Sequence, residues 1–301
     1  MKGVALVSLL FIYVAIIAAG SVQVKSLSIG KDCFSCATAP SGTIFCDDFE
    51  NDTPLSERYF EYDDNNGDFK RTAGVGRDGS AGMRIIWQKG EVAAGSLKKS
   101  IGRVPGTYLG RNAVQPEKDF KEIWWRIDVR TQPGWTGGGA DKLTRATVFV
   151  DSGWSQGLIA HVWSSGNYLV IDPASGIDEN GKLKSTRYND FAHLRWLGNK
   201  KGTTDLFSDA NAGKWYCVTA HIKMNTPGLP DGVFEYWIDD VLQAASYNLN
   251  WHGDWNAKHD GYMINAVLFE NYWNNGSPKL QERYFDNLLI SSEPIRCKCA
   301  E

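Results

Sequence analysis

The sequence predicts an all-β protein, a β-sandwich of the jelly-roll type with antiparallel sheets and long loops. Two observations lead to this prediction. Many short segments alternate apolar and polar residues, and the 31 glycines and the Asn and Asp clusters between them are typical of turns. No segment shows a long helical periodicity. With 301 residues, of which 43% are hydrophobic, the chain is long enough to bury a large core.

In chain order, the predicted strands cover residues 43–49, 82–87, 121–130, 143–151, 157–163, 168–172, 216–224, 233–238, 262–272 and 282–291. The most informative pair flanks the turn-rich segment NTPGLPDG, which predicts a long antiparallel hairpin from 216 to 238. The polar segments 178–190 and 198–214 are predicted loops. No repeat or linker divides the chain, so we expect residues 42–301 to form a single jelly-roll domain.

The N-terminal residues carry one Lys, followed by an apolar run from residue 3 to residue 19 that ends in small residues. This pattern is typical of a secretory signal peptide, which we place at residues 1–20. The alternative is a membrane anchor, because the run approaches the length needed to cross a bilayer. Residues 21–41 are then a Cys-containing leader. We therefore expect a secreted, extracellular protein with no membrane contact after the signal is cleaved.

Six cysteines lie mainly near the two ends of the chain: Cys33, Cys36, Cys46, Cys217, Cys297 and Cys299. In a secreted protein such cysteines usually form disulfides, and their clustering predicts at least one bridge between the two ends. The alternative is a zinc site, since Cys33 begins a C-x-x-C motif and Cys297 begins a C-x-C motif.

The net charge of −3 and the pI near 6.0 give no support to nucleic-acid binding. An acidic polysaccharide would need a local basic patch. The motifs of dinucleotide-binding proteins, P-loop proteins, serine hydrolases and zinc proteases are all absent, so we expect no organic cofactor. A convincing pair of carboxylates on one strand is also missing, which disfavours a glycoside hydrolase.

Alternation along the strands sorts the polar residues by face. The polar sides carry Arg126, Arg145, His161, Trp163, His221, Glu270 and Tyr272. If these sides belong to one sheet, they form a groove that contains Arg, His, Glu and aromatic side chains. We predict such a groove. The alternative is an ordinary solvated outer face, which has the same composition.

These residue types suit the β-elimination that a polysaccharide lyase performs. Such an enzyme neutralises a uronate carboxylate, removes the C5 proton and protonates the leaving oxygen. The predicted catalytic residues are Lys142, Arg145, His161, Tyr168 and His221. The predicted substrate-binding residues are Arg126, Trp163, Arg195, Glu270, Tyr272, Trp251 and Trp273. A lone His on a strand is otherwise a hydrogen-bonded structural residue.

The last two tryptophans belong to an aromatic-rich segment, NLNWHGDWNAKHDGYMINAVLFENYWNNGSP. Aromatic rings stack on the apolar faces of sugars, and comparable aromatic contacts contribute about 0.5–1.5 kcal/mol. We therefore predict that this segment binds carbohydrate. The alternative is a packed loop cluster that covers one end of the sandwich.

Three motifs resemble one family: the hairpin motif NTPG..DGV...WID, the segment GWTGGGADKL and the segment YFDNLLIS. Together they resemble the concanavalin A-like lectin/glucanase superfamily, especially its jelly-roll alginate and glucuronan lyases. The resemblance covers residues 45–295 and implies the jelly-roll fold. Through its short motifs, it also implies lyase activity.

In those lyases a Gly-Gly-Lys-Leu segment introduces an inner strand whose Lys faces the substrate, which implies this role for Lys142. The chain departs from the family pattern by an inserted pair, Ala140-Asp141, before this lysine. It also has His161 and Trp163 where the family has a tyrosine pair on a neighbouring strand.

The segments DDFE at 47–50 and YFDN at 284–287 resemble the paired first and last strands of the same sandwiches. In that family a Ca²⁺ often joins backbone carbonyls to a carboxylate from the last strand, and oxygen ligands suit Ca²⁺. The resemblance therefore implies a structural Ca²⁺ held by Asp48 and Asp286. The alternative is that these acids cap strand ends and keep the sheet edges soluble.

We therefore expect a secreted, monomeric, carbohydrate-active protein whose partner is a polysaccharide. The favoured function is a polysaccharide lyase that cleaves a uronate-containing, acidic glycan by β-elimination. The alternative is a non-catalytic, lectin-like binding module that uses Trp163, Trp251 or Trp273. A glycoside hydrolase is less favoured, as is a structural extracellular domain in which the aromatic side chains are core.

Overall fold

The computed structural model describes residues 34–251 and 261–297, which are almost entirely β-structure. The strands are β1 (Thr43–Asp47), β2 (Glu61–Asp63), β3 (Phe69–Thr72), β4 (Gly82–Trp87), β5 (Ala93–Ser100), β6 (Glu122–Thr131), β7 (Lys142–Phe149), β8 (Gln156–Ser165), β9 (Tyr168–Ser175), β10 (Arg195–Trp196), β11 (Lys200–Lys201), β12 (Tyr216–Lys223), β13 (Gly232–Ile238), β14 (Val241–Leu249), β15 (Ala266–Tyr272) and β16 (Gln281–Ser291). The α-helices in the described residues are single turns, α1 (Leu55–Arg58) and α2 (Gly106–Leu109). The prediction of an all-β protein is confirmed.

The strands form two antiparallel sheets, which we call sheet A and sheet B. Sheet A has the order β14-β13-β12-β6-β16-β4-β3, and β1 also pairs with β16. Sheet B has the order β10-β9-β8-β7-β15-β5-β2, and β11 also pairs with β9. Neighbours in these orders are often far apart in sequence, as when β6 pairs with β12 and β16. Such non-local pairing is typical of a sandwich.

The core lies between the two sheets, and alternation along each strand supplies it. Trp125 and Phe234 from sheet A and Val162 and Phe269 from sheet B are buried in one apolar cluster. Burying one side chain of this size stabilises the fold by about 1.5–3 kcal/mol. Because every second residue points into this core, the intervening residues of each sheet point away from it. The two polar faces therefore lie on opposite sides of the sandwich.

The predicted hairpin is present as β12 and β13, with His221 opposite Glu235 in the register. Asp239 and Asp240 form the next turn with φ angles of 50° and 66°. Asp tolerates this left-handed region better than most residues, so the pair makes a tight turn into β14. Strand β15 begins at Ala266, later than predicted, because its partner β5 ends at the opposite residue, Ser100.

Six of the described strands were not predicted: β2, β3, β5, β10, β11 and β14. Strand β5 has the sequence AAGSLKKS, which contains one large apolar residue, Leu97, and two lysines. Strands β2 and β14 also lack clear alternation. Their place in the sheets comes from pairing with neighbours rather than from their own pattern, because strand propensity depends strongly on context.

Two disulfides are described. Cys36 pairs with Cys46 near the start of the domain, and Cys217 on β12 pairs with Cys297 in the C-terminal segment. Neither bridge joins the two ends of the chain. Cys33, Cys299 and the predicted signal peptide at 1–20 lie outside the described residues. Within the described residues, no helix is long and apolar enough to cross a membrane.

Candidate functional site

The predicted groove residues belong to two different sheets. Arg126 on β6 and His221 on β12 lie in sheet A, whereas Arg145, His161 and Glu270 lie in sheet B. The prediction that these polar sides share one sheet is therefore corrected. Alternation assigns a residue to one side of its own strand, but it does not say which sheet that strand joins.

The outer face of sheet B gathers five polar residues, which we call the lysine face: Lys142, Arg145, His161, Asp172 and Glu270. Arg145 on β7 is directly opposite His161 on β8, and His161 is directly opposite Asp172 on β9. Cross-strand partners of this kind lie about 4.5–5.5 Å apart at Cβ. Glu270 comes from β15, on the other side of β7. The pleat thus places the charged side chains in one compact patch.

Lys142 begins β7 and is largely buried, with 8% of its surface exposed. Its Nζ atom lies 4.5 Å from the centroid of the Tyr272 ring and 6.0 Å from that of Phe191. Burial lowers the pKa of the Lys142 ammonium, and the nearby Glu270 partly opposes this effect. Within the described residues, the ammonium has no ion pair and no hydrogen bond. The aromatic neighbours hold the charge without neutralising it.

Arg145 and Glu270 form an ion pair, and Arg145 Nε and Glu270 Oε2 have no hydrogen-bond partner within the described residues. The guanidinium lies 2.8 Å from Glu270 Oε1 and donates to Asn189 Oδ1 at 2.7 Å and to the Tyr188 hydroxyl. Tyr188 in turn donates to Glu270 Oε1 at 2.8 Å. Burial pushes the pKa of Glu270 up, but Arg145 and Lys142 outweigh this and leave it below its ordinary value. This network therefore anchors a loop over the sheet, and the two charges of the pair compensate each other.

His161 is fully buried at the centre of the lysine face. Its Nδ1 lies 3.0 Å from the backbone carbonyl oxygen of Asp172, and a carbonyl can only accept, so Nδ1 carries the proton. Burial and the neighbouring Arg145 lower the pKa of His161 well below its ordinary value, which keeps the ring neutral. Nε2 therefore holds a lone pair, and it has no partner in the part of the chain described. A lone pair on a neutral ring can accept a proton, which is what a general base does.

A cover of aromatic rings lies over His161. The centroid of Trp163 is 4.0 Å from the imidazole, that of Trp196 is 5.7 Å away and nearly parallel, and that of Phe191 is 6.4 Å away. Phe191 and Trp196 are 39% and 40% exposed, so this cover faces solvent. Sequence reasoning missed Tyr188, Phe191 and Trp196. The available signal was the density of aromatic residues in the loop sequence RYNDFAHLRW.

Asp172 was also missed. It is half-buried on the outer side of β9, and burial raises its pKa to about 6. Its side chain forms no hydrogen bond within the described residues. Residues 169 and 171, on either side of it in the pleat, belong to the core, so Asp172 points away from the core toward the lysine face. A carboxyl group with this pKa changes its charge near neutral pH.

Arg283 positions this site from inside the sandwich. It extends from β16 through the core and donates to the backbone carbonyl oxygens of Lys142 and Glu270 at 3.2 and 3.1 Å. It also bonds Asn271 Oδ1 at 2.7 Å. Its guanidinium lies 4.9 Å from the centroids of two rings, Trp87 and Phe285. Burial lowers the pKa of Arg283 to about 9. The arginine therefore ties the ends of β7 and β15 to the opposite sheet.

Two predicted residues lie in sheet B but outside this cluster. Tyr168 is four positions from Asp172 along β9, which corresponds to about 13 Å of extended chain. Its ring lies under Lys201, whose Nζ is 3.9 Å from the ring centroid. Arg195 on β10 donates to the backbone carbonyls of Ile177 and Asn250, so it holds loops at the edge of the sheet.

Two residues that were predicted to belong to the groove lie in sheet A, and both are bonded to carboxylates of the same sheet. Arg126 is 1% exposed and forms a two-pronged ion pair with Asp128 at 2.9 and 2.8 Å. His221 lies between two carboxylates, with Nδ1 2.9 Å from Glu235 Oε2 and Nε2 2.8 Å from Glu122 Oε1. Neither residue lies on the lysine face, so the sheet order corrects their predicted place in one groove with His161.

Trp251 and Trp273 are core residues rather than exposed platforms. Trp251 is fully buried, with its ring 5.9 Å from Phe234. Trp273 is 5% exposed and stacks on Trp135 at 5.5 Å. A side chain without exposed surface offers no face to a sugar, so burial corrects these two assignments in this conformation. The remaining tryptophan and the two histidines of the aromatic segment, at 252–260, lie outside the described residues.

The two predicted calcium ligands have different surroundings. Asp286 is buried, and burial raises its pKa to about 7. Its Oδ2 accepts from the Arg77 amide at 2.7 Å and the Ser80 hydroxyl at 3.1 Å. Asp48 instead accepts from the Cys36 amide at 2.9 Å. No cluster of three or more His, Cys, Asp or Glu side chains with metal-site spacing occurs in the described residues.

The sequence matches no family model and no curated protein. The fold matches solved structures. For the endo-β-1,4-glucuronan lyase from the fungus Trichoderma reesei, the TM-score is 0.52 at 13% identity, over 83% of this chain and 96% of that one. For the marine PL-14 alginate lyase from Aplysia kurodai, the TM-score is 0.54 at 13% identity, over 82% of this chain and 98% of that one.

The cellulose-induced protein Cip1 matches with a TM-score of 0.43 at 12% identity, over 85% of this chain and 100% of that one. Identities at this level speak to the fold alone. The two antiparallel sheets, their order and the likeness to the two lyases agree with the architecture that the sequence motifs imply. The chain therefore has the concanavalin A-like jelly-roll fold, which it shares with these polysaccharide lyases.

Proposed function

We propose that this protein is a polysaccharide lyase that cleaves a uronate-containing glycan on the lysine face. The observation that carries the proposal is the Lys142 ammonium, which has no ion pair or hydrogen bond in the described part of the chain and lies beside a neutral histidine. A uronate carboxylate is the anion that such a cation would bind. The likeness in fold to a glucuronan lyase and an alginate lyase supports the proposal by analogy.

The reaction is a β-elimination. A base removes the C5 proton of the uronate, the C4–O4 bond breaks as the C4–C5 double bond forms, and the leaving O4 takes up a proton. Lys142 pairs with the C6 carboxylate and stabilises the negative charge that develops when C5 loses its proton. His161 Nε2 accepts that proton. Tyr272, which is 37% exposed and borders the ammonium, donates a proton to O4.

In this proposal Arg145 and Glu270 are positioning residues, because each already neutralises the other. Their network fixes the loop that carries Tyr188, and Arg283 fixes the backbone of Lys142 and Glu270. Access to His161 requires Trp196 and Phe191 to move aside, since they cover the imidazole. Movements of exposed loops over an active site occur in many enzymes.

A second candidate function is a non-catalytic binding module. One observation favours it: His161 is fully buried beneath the aromatic cover, so in this conformation its base does not reach a substrate. In that case Trp196 and Phe191 are the sugar-stacking surface, and Lys142 confers a preference for acidic glycans. Such a module would differ from a lyase in that it binds the glycan without changing it chemically.

The test compares the wild type with Lys142→Ala and Lys142→Arg on glucuronan, alginate, pectate and glycosaminoglycans. The ultraviolet absorbance of the unsaturated uronate product is followed. We expect the wild type to form this product from at least one polymer, and Lys142→Ala to lower the rate about 10²–10³-fold. The Arg variant should retain more activity because it keeps the charge. Thermal unfolding confirms that each variant is folded.

Absence of unsaturated product from every polymer, with folded wild-type protein, would contradict the lyase proposal. Retained binding to an acidic glycan in the same experiment would then favour the binding module. Full activity in a folded Lys142→Ala variant would remove Lys142 from the mechanism, whichever polymer is the substrate.

We also propose that the protein is secreted through its N-terminal signal and that it is a monomer.

A further proposal is a structural Ca²⁺ at Asp286. A buried carboxylate with a raised pKa suits a neighbouring cation. Glu50 points at the same loop, where it accepts from the Ala81 amide at 2.7 Å. We therefore expect Ca²⁺ to raise the unfolding temperature of the wild type and not of Asp286→Asn. Asp48→Asn tests the second predicted ligand in the same way, and an equal response of the wild type and Asp286→Asn would exclude Asp286 as a ligand.

A further inference from the structure

The outer face of sheet A carries a second concave site, which we call the tryptophan groove. Its floor is formed by β6, β12 and β13 and consists of Trp124, Thr219, His221, Glu235 and Trp237. One wall is the C-terminal segment 294–296. The Cys217–Cys297 disulfide joins that segment to β12. This groove lies on the opposite side of the sandwich from the lysine face.

The floor is aromatic and held rigidly. The imidazole of His221 lies parallel to Trp124, at an angle of 7° and a centroid distance of 4.2 Å. The same imidazole is bonded to Glu122 and Glu235, so it cannot rotate away without breaking two hydrogen bonds. Tyr247 extends the floor from β14, since its hydroxyl donates to Glu235 Oε1 at 2.6 Å. The platform is therefore preorganised.

Trp237 is the aromatic ring of this floor that is available to stack on a ligand. It is partly exposed, and it has no ring contact or hydrogen bond within the described residues. The neighbouring strand adds exposed apolar surface, because Trp237 pairs with Leu242, which is 49% exposed. A partly exposed tryptophan on the floor of a groove is the usual platform for the apolar face of a pyranose ring.

The charges of the groove do not suit a polyanion. Three carboxylates, those of Glu122, Glu235 and Asp240, lie in or beside the groove together with one guanidinium, that of Arg296, and both oxygens of Glu235 are already bonded. Arg296 and the Thr219 hydroxyl are left as hydrogen-bonding groups for sugar hydroxyls. The carboxylates of Glu235 and Asp240 would repel an acidic glycan, whereas they would not repel an uncharged one.

We propose that the tryptophan groove binds an uncharged polysaccharide by stacking a pyranose ring on Trp237. The inference goes beyond the proposed lyase function and does not rest on it. The two faces would then hold two kinds of glycan, an acidic one at Lys142 and a neutral one at Trp237. Such an arrangement would bring the lyase face to mixed polymers in which both occur.

The test measures the affinity of the full mature protein for neutral gluco-, xylo- and manno-hexasaccharides by calorimetry. We expect the wild type to bind at least one, and Trp237→Ala to weaken binding about tenfold. Trp237→Tyr, which keeps a ring, should restore part of the affinity. Trp196→Ala removes an exposed tryptophan from the lysine face and should leave neutral-glycan binding unchanged.

Absence of binding to all neutral glycans, or undiminished binding by folded Trp237→Ala, would overturn the proposal. So would an equal loss in Trp196→Ala, because it would place the neutral glycan on the lysine face. Product formation from acidic polymers is measured in parallel and should not change in Trp237→Ala. Calorimetric binding tests the groove proposal and product formation tests the lyase proposal, so the failure of either can be told from the failure of the other.

Discussion

The two faces of the sandwich use histidine in opposite ways. His161 in sheet B donates its Nδ1–H to a backbone carbonyl, and its Nε2 has no partner within the described residues. His221 in sheet A has both nitrogens within hydrogen-bond distance of carboxylates, Glu235 and Glu122, so neither nitrogen has a free lone pair. The comparison shows that the partners of a histidine, rather than its place on a strand, decide whether it can act as a base.

The same contrast extends to the cations of each face. On the lysine face, Lys142 is held by aromatic rings and has no anion within the described residues. In sheet A, Arg126 is neutralised by Asp128. A buried ion pair of this kind is a structural element, whereas an unneutralised cation is an anion-binding site. We therefore expect mutations on the two faces to separate cleanly into effects on turnover and effects on stability.

The sharpest test of the comparison is to replace each histidine by glutamine. His161→Gln should lower product formation about 10²–10⁴-fold, because glutamine cannot accept a proton as a general base. His221→Gln should leave product formation unchanged. The initial rate of unsaturated-product formation measures both. Similar losses in the two variants would mean that the faces do not differ in function.

The second largest effect concerns the support of the lysine face. Arg283→Met should lower the free energy of unfolding by about 3–5 kcal/mol, because it leaves buried carbonyl oxygens at Lys142, Glu270 and Gly139 without a donor. Urea unfolding measures the loss. Arg283→Lys keeps a donor and should recover part of it. If Arg283→Met were as stable as the wild type, the arginine would not anchor these strand ends.

A smaller effect is expected for the support of the tryptophan groove. His221→Leu should lower the free energy of unfolding by about 1–3 kcal/mol, because Glu122 and Glu235 lose their shared donor. Urea unfolding again gives the value, and the rate of product formation serves as the control. A loss of stability joined to a loss of turnover would show that the two faces are coupled.

The smallest effect is a pH dependence. Burial raises the pKa of Asp172 to about 6, so this group is neutral below that pH and negative above it. A negative Asp172 repels a uronate, and the affinity of the lysine face for acidic oligosaccharides should therefore fall a few-fold as pH rises through about 6. Asp172→Asn should abolish this fall. Calorimetric titration below and above this pH, with His221→Gln as a control, tests the assignment.

Much of the lysine face could be predicted from the sequence, because alternation of residues along a strand is a local property. Alternation along β7, β8 and β15 is enough to put Arg145, His161 and Glu270 on the solvent side of their strands. The sheet to which a strand belongs is set by pairing between distant segments. For that reason the sequence did not separate His221 from His161.

The covering loop shows a different limit. Tyr188, Phe191 and Trp196 lie in a segment with no strong periodicity, and its path over sheet B is set by the Arg145 network and by ring contacts. Conversely, Trp251 and Trp273 were expected in a binding segment because aromatic density does not distinguish an exposed platform from a packed end of the core. Only tertiary packing makes that distinction.

The described disulfides are distributed unequally, and this gives the molecule a chemical asymmetry. Cys36–Cys46 lies at β1, and Cys217–Cys297 fastens the C-terminal wall of the tryptophan groove to β12; both strands belong to sheet A. Within the described residues, the lysine face is held by hydrogen bonds, ring contacts and the Arg145–Glu270 ion pair, without a disulfide. A reductant would therefore release the wall of one binding surface and leave the other intact. The redox state of the surroundings would therefore affect the side of the protein that carries the tryptophan groove.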